Sequence, residues 1–201
     1  MGLKRYALLR DCGIPDSRIG KILMTSTRFV GLSVDSVKAY IERAENLEVP
    51  HSSRMFWQAF VAVVCHSKAT VDAKFRLYKS LGWSEAEASS AISKTPKLLH
   101  LSDKMVYKKM DFLMKEVGCK ISYVAHRPAL LTYSLERRLI PRYHVLRILL
   151  KNNVPEGDQD FFATVMVPEV KFLNKYVLPH KEKIPGIHEA YVAACAGNVI
   201  N

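Results

Sequence analysis

A short phrase recurs along this chain: an amphipathic stretch with helical spacing, then a proline, then a pair of leucines. It reads Thr95-Pro96-Lys97-Leu98-Leu99 and again Arg127-Pro128-Ala129-Leu130-Leu131, the prolines 32 positions apart. A decayed third copy emerges at an offset of 69 positions. There Cys12-Gly13-Ile14 falls on Leu81-Gly82-Trp83, Ile22-Leu23 on Ala91-Ile92, and Thr27-Arg28-Phe29-Val30 on Pro96-Lys97-Leu98-Leu99. That offset is twice a period of about 34, which leaves room for one more copy between. A fixed period of this size marks units that cannot bury their apolar face alone and must stack on their neighbours. A stacked array presents a long surface, suited to an elongated partner.

Within the phrase the helix ends are legible. Ser84 with Glu87 three positions on forms a capping box, and Ala88, Ala91, Ile92 and Thr95 follow on one face. Pro96 has no amide proton and disfavours the α region at its predecessor, so the helix stops there. Leu98, Leu99 and Leu101 then tuck inward across a tight connector of 3₁₀ type. A second helix follows Ser102, with Val106, Met110, Leu113 and Val117 aligned, and Gly118 stops it.

In the next unit Ser122 is expected to cap a short helix, Tyr123 to His126, before Pro128. Ser134 opens a longer one in which Leu139, Tyr143, Leu146 and Leu150 align and Pro141 kinks or splits the first turn. Upstream, Val34–Leu47, Ser53–Val64 and Ala69–Leu81 read as helices. Pro155 to Asp160 reads as a linker, and an Ala-rich helical end closes the chain. No stretch alternates with period two, so the expected fold is all-α: an α-solenoid of helix–helix–3₁₀ repeats forming a curved superhelix. Its units are expected at about 4–38, 39–70, 71–118 and 119–152, with a degenerate one at 153–180 and a tail at 181–201.

With 49% hydrophobic residues over 201 positions, the chain is globular and long enough for a good core. Its net charge of +11 needs a reason, and a basic excess raises the local concentration of polyanions, chiefly nucleic acid or anionic membrane. Residues 71–150 carry 15 Lys/Arg against 7 Asp/Glu, whereas 151–201 carry 5 against 6, so the excess sits on the clearest repeats. The four cysteines are far apart and form no CxxC pair, which leaves them as reduced structural thiols. The longest apolar run, Ala59 to Cys65, is too short to span a bilayer. Neither a secretory signal nor a transit peptide stands at the start.

Several segments together resemble the mitochondrial transcription termination factor (mTERF) family in its plant form. They are Lys79-Ser80-Leu81-Gly82-Trp83-Ser84-Glu85, the Thr95-Pro96 phrase, Lys108-Lys109-Met110-Asp111-Phe112-Leu113, and the run from Arg127-Pro128-Ala129-Leu130-Leu131 through Ser134-Leu135-Glu136-Arg137-Arg138 to Pro141-Arg142. Lys171-Phe172-Leu173-Asn174-Lys175-Tyr176-Val177-Leu178-Pro179 is similar to the way such proteins end. The resemblance implies helix–helix–3₁₀ units whose concave basic surface holds double-stranded DNA or RNA. It further implies residence in mitochondria or chloroplasts and a part in transcription termination or RNA splicing support. Two departures stand out: Thr27 replaces an expected proline, and the 47–66 unit keeps only its apolar skeleton. The chain is also shorter than the family's usual length, as though an N-terminal portion were missing.

The candidate phosphate ligands are Arg127, Arg137, Arg138 and Arg142, clustered near a helix start, with Lys104, Lys108 and Lys109 as a second patch. Their bland alternative is a solvated helix face with weak ion pairs, such as Glu136 with its arginine neighbours. Pro96, Leu98, Leu99, Pro128, Leu130 and Leu131 are structural. Trp83 follows a glycine at a helix entry and reads as a packing residue more readily than as a base-stacking one. No catalytic motif is present: His188-Glu189 lacks the second histidine of a zinc-protease pattern, and no glycine-rich phosphate loop or nucleophile elbow occurs. The expectation is a non-catalytic monomer with no cofactor, metal, membrane or small-molecule substrate. Its rival is a protein-interaction scaffold of similar architecture, although the tetratricopeptide signature is missing. A pentatricopeptide-like RNA reader shares the period but lacks the proline-bounded element between helices.

Overall fold

Prolines, glycines and small hydroxyl residues set the helix ends along the chain, and the computed structural model describes residues 2–25 and 31–197. The segment Thr27-Arg28-Phe29-Val30, and the side chains of Ile22 and Leu23, lie outside what is described. In order come α1 (Gly2–Asp11), α2 (Asp16–Thr25), α3 (Val34–Glu45), α4 (Phe56–Cys65), α5 (Lys68–Ser80) and α6 (Glu85–Lys94). A 3₁₀ turn at Pro96–His100 leads to α7 (Asp103–Asp111), which runs into a π turn at Phe112–Glu116. Next are α8 (Ile121–His126), a 3₁₀ turn at Pro128–Thr132, and a π turn at Leu135–Leu139 opening α9 (Ile140–Lys151). A 3₁₀ turn at Pro155–Asp158, α10 (Phe161–Met166), α11 (Glu169–Phe172), a π turn at Leu173–Val177, a 3₁₀ turn at Leu178–His180 and α12 (Ile187–Cys195) complete the fold. No strand occurs among the described residues, and the fold is all-α and built from helical repeats.

The local rules hold where they are strongest. Ser84 Oγ accepts from the Glu87 amide at 3.1 Å and the Glu87 carboxylate accepts from the Ser84 amide at 2.9 Å, closing the capping box. Those hydrogen bonds also hold the Glu87 carboxyl below its usual range. Both Pro-Leu-Leu turns are 3₁₀, with Leu98, Leu99, Leu130 and Leu131 at most 1% exposed. Gly118 takes φ +79, the left-handed conformation that ends a helix cheaply only in glycine. Pro141 has no amide to donate. The turn before it closes as π, with the Leu139 amide reaching the Ser134 carbonyl at 3.1 Å.

Three local readings change. α8 begins at Ile121 rather than after Ser122, so Ser122 lies inside the helix, where its carbonyl accepts from His126. Leu150 is 54% exposed, and Leu149 takes the buried place beside Leu146 at the end of α9. Pro155–Asp158 is no linker but a 3₁₀ turn packed hard on α9.

Gly157 is the reason that turn can approach. A Cβ there would lie 2.3 Å from the Leu150 amide nitrogen and 2.9 Å from the Leu146 carbonyl, and neither backbone atom can move aside. Gly157→Ala must therefore lift the turn from the helix. The expected cost is about 1–3 kcal/mol, read as a lower thermal midpoint with helix content unchanged below the transition.

The chain forms two compact units. The first comprises residues 1–107 and 119–128, the second 108–118 and 129–201. Phe56, Phe60, Tyr78, Trp83, Ile92 and Leu98 make the centre of the first. Trp83 is stacked on Tyr78 with ring centroids 4.8 Å apart, and the Tyr78 hydroxyl donates to the Leu98 carbonyl at 3.0 Å. The second is centred on Leu130, Leu131, Leu139, Leu149, Val165 and Phe172, with α12 packed against α9.

Candidate nucleic-acid interface

Each short helix leaves its last carbonyls without partners, and a cation is the group best suited to them. This chain supplies one repeatedly. Arg5 on α1 donates to the Leu32 carbonyl at 2.8 Å, and Arg43 on α3 to that of His66 at 2.8 Å. Lys74 on α5 donates to the Leu101 carbonyl and pairs with Asp103. Lys109 on α7 donates to the Leu131 carbonyl at 2.7 Å. Arg142 on α9 reaches the carbonyls of Thr164, Val165 and Val167 at 2.8, 3.1 and 2.6 Å, and the Glu169 carboxylate at 2.9 Å.

In every case the carbonyl lies 22 to 27 residues further along. The donors themselves are spaced by 38, 31, 35 and 33 positions, which is the period of the repeat. Each clamp ties a helix to a backbone carbonyl well beyond its own end, across at least one intervening turn.

These clamps decide the fate of two expected phosphate ligands. Arg142 is 0% exposed and lies 4.4 Å over the Phe172 ring, with its terminal nitrogens committed inside the protein. Lys109 is 4% exposed, and burial pushes its ammonium pKa down, partly offset by Glu136. The expectation that Arg142 and Lys109 face a phosphate backbone therefore gives way: both are internal clamps. Arg138 is half-buried and shares the task, donating to the Val165 and Val167 carbonyls at 2.9 and 2.8 Å and lying over Tyr133.

The remaining candidates face outward. Lys104, Lys108 and Arg137 are exposed and form no ion pair among the described residues. Arg127 is half-exposed, its guanidinium 4.1 Å from the Tyr123 ring centroid. Lys94, Lys97 and Lys120, like Lys104, Lys108 and Arg137, are exposed and form no ion pair among the described residues. Their acidic counterparts are largely engaged. Asp103 pairs with Lys74, Asp111 with Lys115 and Glu85 with Lys79, while Glu87 serves the helix cap. Glu136 pairs with none of its arginine neighbours among the described residues.

Sequence reasoning missed the clamps, although a signal existed. Lys109 stands three positions after Val106 and four before Leu113, on the face that packs inward. A lysine on an apolar stripe is a buried lysine. Other chemistry is sparse: His66 and His100 share a ring-nitrogen hydrogen bond of 3.1 Å, and burial holds both below the usual histidine range. Among the described residues no three His, Cys, Asp or Glu side chains converge as a metal site would require. No described helix is long and apolar enough to cross a membrane.

Helices tied at regular spacing by internal cations, with further cations exposed on the surface, define an α-helical repeat protein. A profile of the mTERF family matches residues 3–157, and the chain belongs to that family. It is 30% identical over 98 residues to the mitochondrial transcription termination factor MTERF15 of Arabidopsis thaliana, covering 48% of this chain and 22% of that protein. With the chloroplastic transcription termination factor MTERF8 of the same plant it shares 23% over 139 residues, or 69% of this chain and 28% of the relative. With the mitochondrial MTEF18, also from Arabidopsis thaliana, it shares 25% over 117 residues, or 58% of this chain and 20% of the relative. The chain thus spans less than a third of the length of these relatives.

Proposed function

We propose that this chain is the nucleic-acid-binding portion of a regulator of organellar gene expression, in mitochondria or chloroplasts. It acts as a monomer on duplex DNA or RNA, in transcription termination or in support of RNA splicing. One observation carries the reading: Lys104, Lys108 and Arg137 face solvent with no carboxylate paired to them among the described residues. A cation that is neither a clamp nor an ion-pair partner can neutralise a phosphate and release its counterion. The mechanism is then electrostatic. Outward Lys and Arg side chains hold the backbone, the buried clamps keep their helices in register, and the bound protein becomes an obstacle or a brace. The names of its plant relatives, all transcription termination factors, support the same reading.

Titration of labelled duplex DNA and RNA at rising salt tests it. Log affinity should fall linearly with log salt. Lys104→Gln with Arg127→Gln in the first unit, and separately Lys108→Gln with Arg137→Gln in the second, should each flatten that slope by about two. Binding indifferent to salt, or a slope untouched by both pairs, would defeat the proposal.

A further inference from the structure

A hollow of about 340 Å³ opens in the first unit between the α1–α2 turn and the start of α4. Gly13, Arg18, Ser52, Arg54, Trp57 and Gln58 are among the residues that line it, and no carboxylate does. The turn is drawn in by Gly13, which takes φ +75 and whose added Cβ would meet the His51 carbonyl at 3.2 Å. Trp57 is half-buried, with the Arg18 guanidinium 5.0 Å from its ring centroid. Arg18 and Arg54 are both exposed, and neither forms an ion pair among the described residues. The nearby acid Glu45 is taken by His51 at 2.7 Å. The second tryptophan, Trp83, is 3% exposed and stacked on Tyr78, so it is closed to any ligand.

We infer that this hollow is a subsite for one unpaired nucleotide. Its volume lies at the small end of ligand pockets, the size class of a mononucleotide rather than a duplex. The groups within it divide as a nucleotide does. Trp57 and the guanidinium resting on it offer flat surfaces to a base, and unstacked bases are held in this way. Ser52 and Gln58 carry a hydroxyl and an amide able to bond a base edge or a ribose. Arg54, together with Arg18 once a phosphate draws it off the indole, supplies charge to the phosphate. The inference deepens the nucleic-acid reading above, and the shared chemistry is a nucleoside monophosphate, either free or within a strand.

The test follows tryptophan emission of the full chain during titration with 5′-AMP, a single-stranded 15-nucleotide RNA, and the same sequence fully paired. The single strand should quench Trp57 and the fully paired form should not, and AMP should quench weakly. Arg18→Gln with Arg54→Gln alters only exposed side chains. It should weaken the single strand by about tenfold and remove the quenching, as should Trp57→Leu. Trp57→Phe should leave only the unresponsive emission of Trp83, and circular dichroism confirms that each variant folds. If the strand binds with the same affinity and quenching in the arginine pair, or if only the duplex binds and without quenching, the subsite is refuted while the nucleic-acid reading stands. Quenching by AMP with no strand bound retains the hollow as a mononucleotide site and removes the strand reading. No binding of any probe, read by the labelled titration as well as by emission, overturns both.

Discussion

Replacing Arg142 with methionine should lower the unfolding free energy by about 3–5 kcal/mol, the largest single effect expected in this protein. Methionine fills much of the space, so the loss is electrical rather than a cavity. Three helix-end carbonyls and the Glu169 carboxylate lose a donor together. The guanidinium's contact with the Phe172 ring is lost as well. Arg142→Lys should recover part of the loss, since an ammonium donates to carbonyls but cannot span the same set of acceptors. Urea denaturation of the three proteins, followed by circular dichroism, gives the comparison. A methionine variant within about 1 kcal/mol of the parent would show that the clamp contributes nothing net.

The same network sets an acid limit. Burial raises the Glu169 carboxyl, but hydrogen bonds from Tyr191 and Arg142 outweigh it and hold the group below its ordinary value of 4.5. A carboxyl lowered on folding stabilises the protein above the unfolded value, and that contribution disappears as pH falls through the folded one. Glu169→Gln should therefore flatten the stability profile below about pH 4.5, where the parent is still losing stability. Because the Glu169 side chain is 52% exposed, solvent screens the effect and the change in slope is modest.

Leu130→Ala should cost about 2–5 kcal/mol, and Leu98→Ala a similar amount, because both side chains are 0% exposed in a packed centre that cannot collapse around the void. Pro128→Ala and Pro96→Ala should each cost much less. Proline contributes mainly by restricting the unfolded chain, worth about 0.4–1 kcal/mol, and its missing amide costs nothing at the first position of a turn. The repeated phrase thus divides its labour: proline stops the helix and leucine anchors the turn. Thermal unfolding of the four single variants orders them directly. A proline variant as damaging as its leucine neighbour would contradict the division.

Much of this fold was legible in the residues themselves. Ser84 and Glu87, Pro96, Gly118 and Ser134 act on backbone groups within a few positions, so local chemistry suffices to place those helix ends. The buried leucines after each proline were equally plain, since no alternative face was open to them. Charge was not so readable. Arg137 and Arg142 look alike in sequence, yet one faces water and the other is sealed in the core. The carbonyl ends that claim Arg142 lie 22 to 25 residues away and come within reach only when the next helices pack. The Pro155 turn misled for a related reason: Gly157 looks like slack in a polar stretch until Leu150 is brought against it.

What the amino-acid order determined alone was therefore where helices start and stop, how often the unit repeats, and that cations outnumber anions on it. Only the tertiary structure decided which cations are drawn inside to hold backbone carbonyls and which face solvent. A side chain's burial depends on distant backbone, and no pattern of near neighbours contains it.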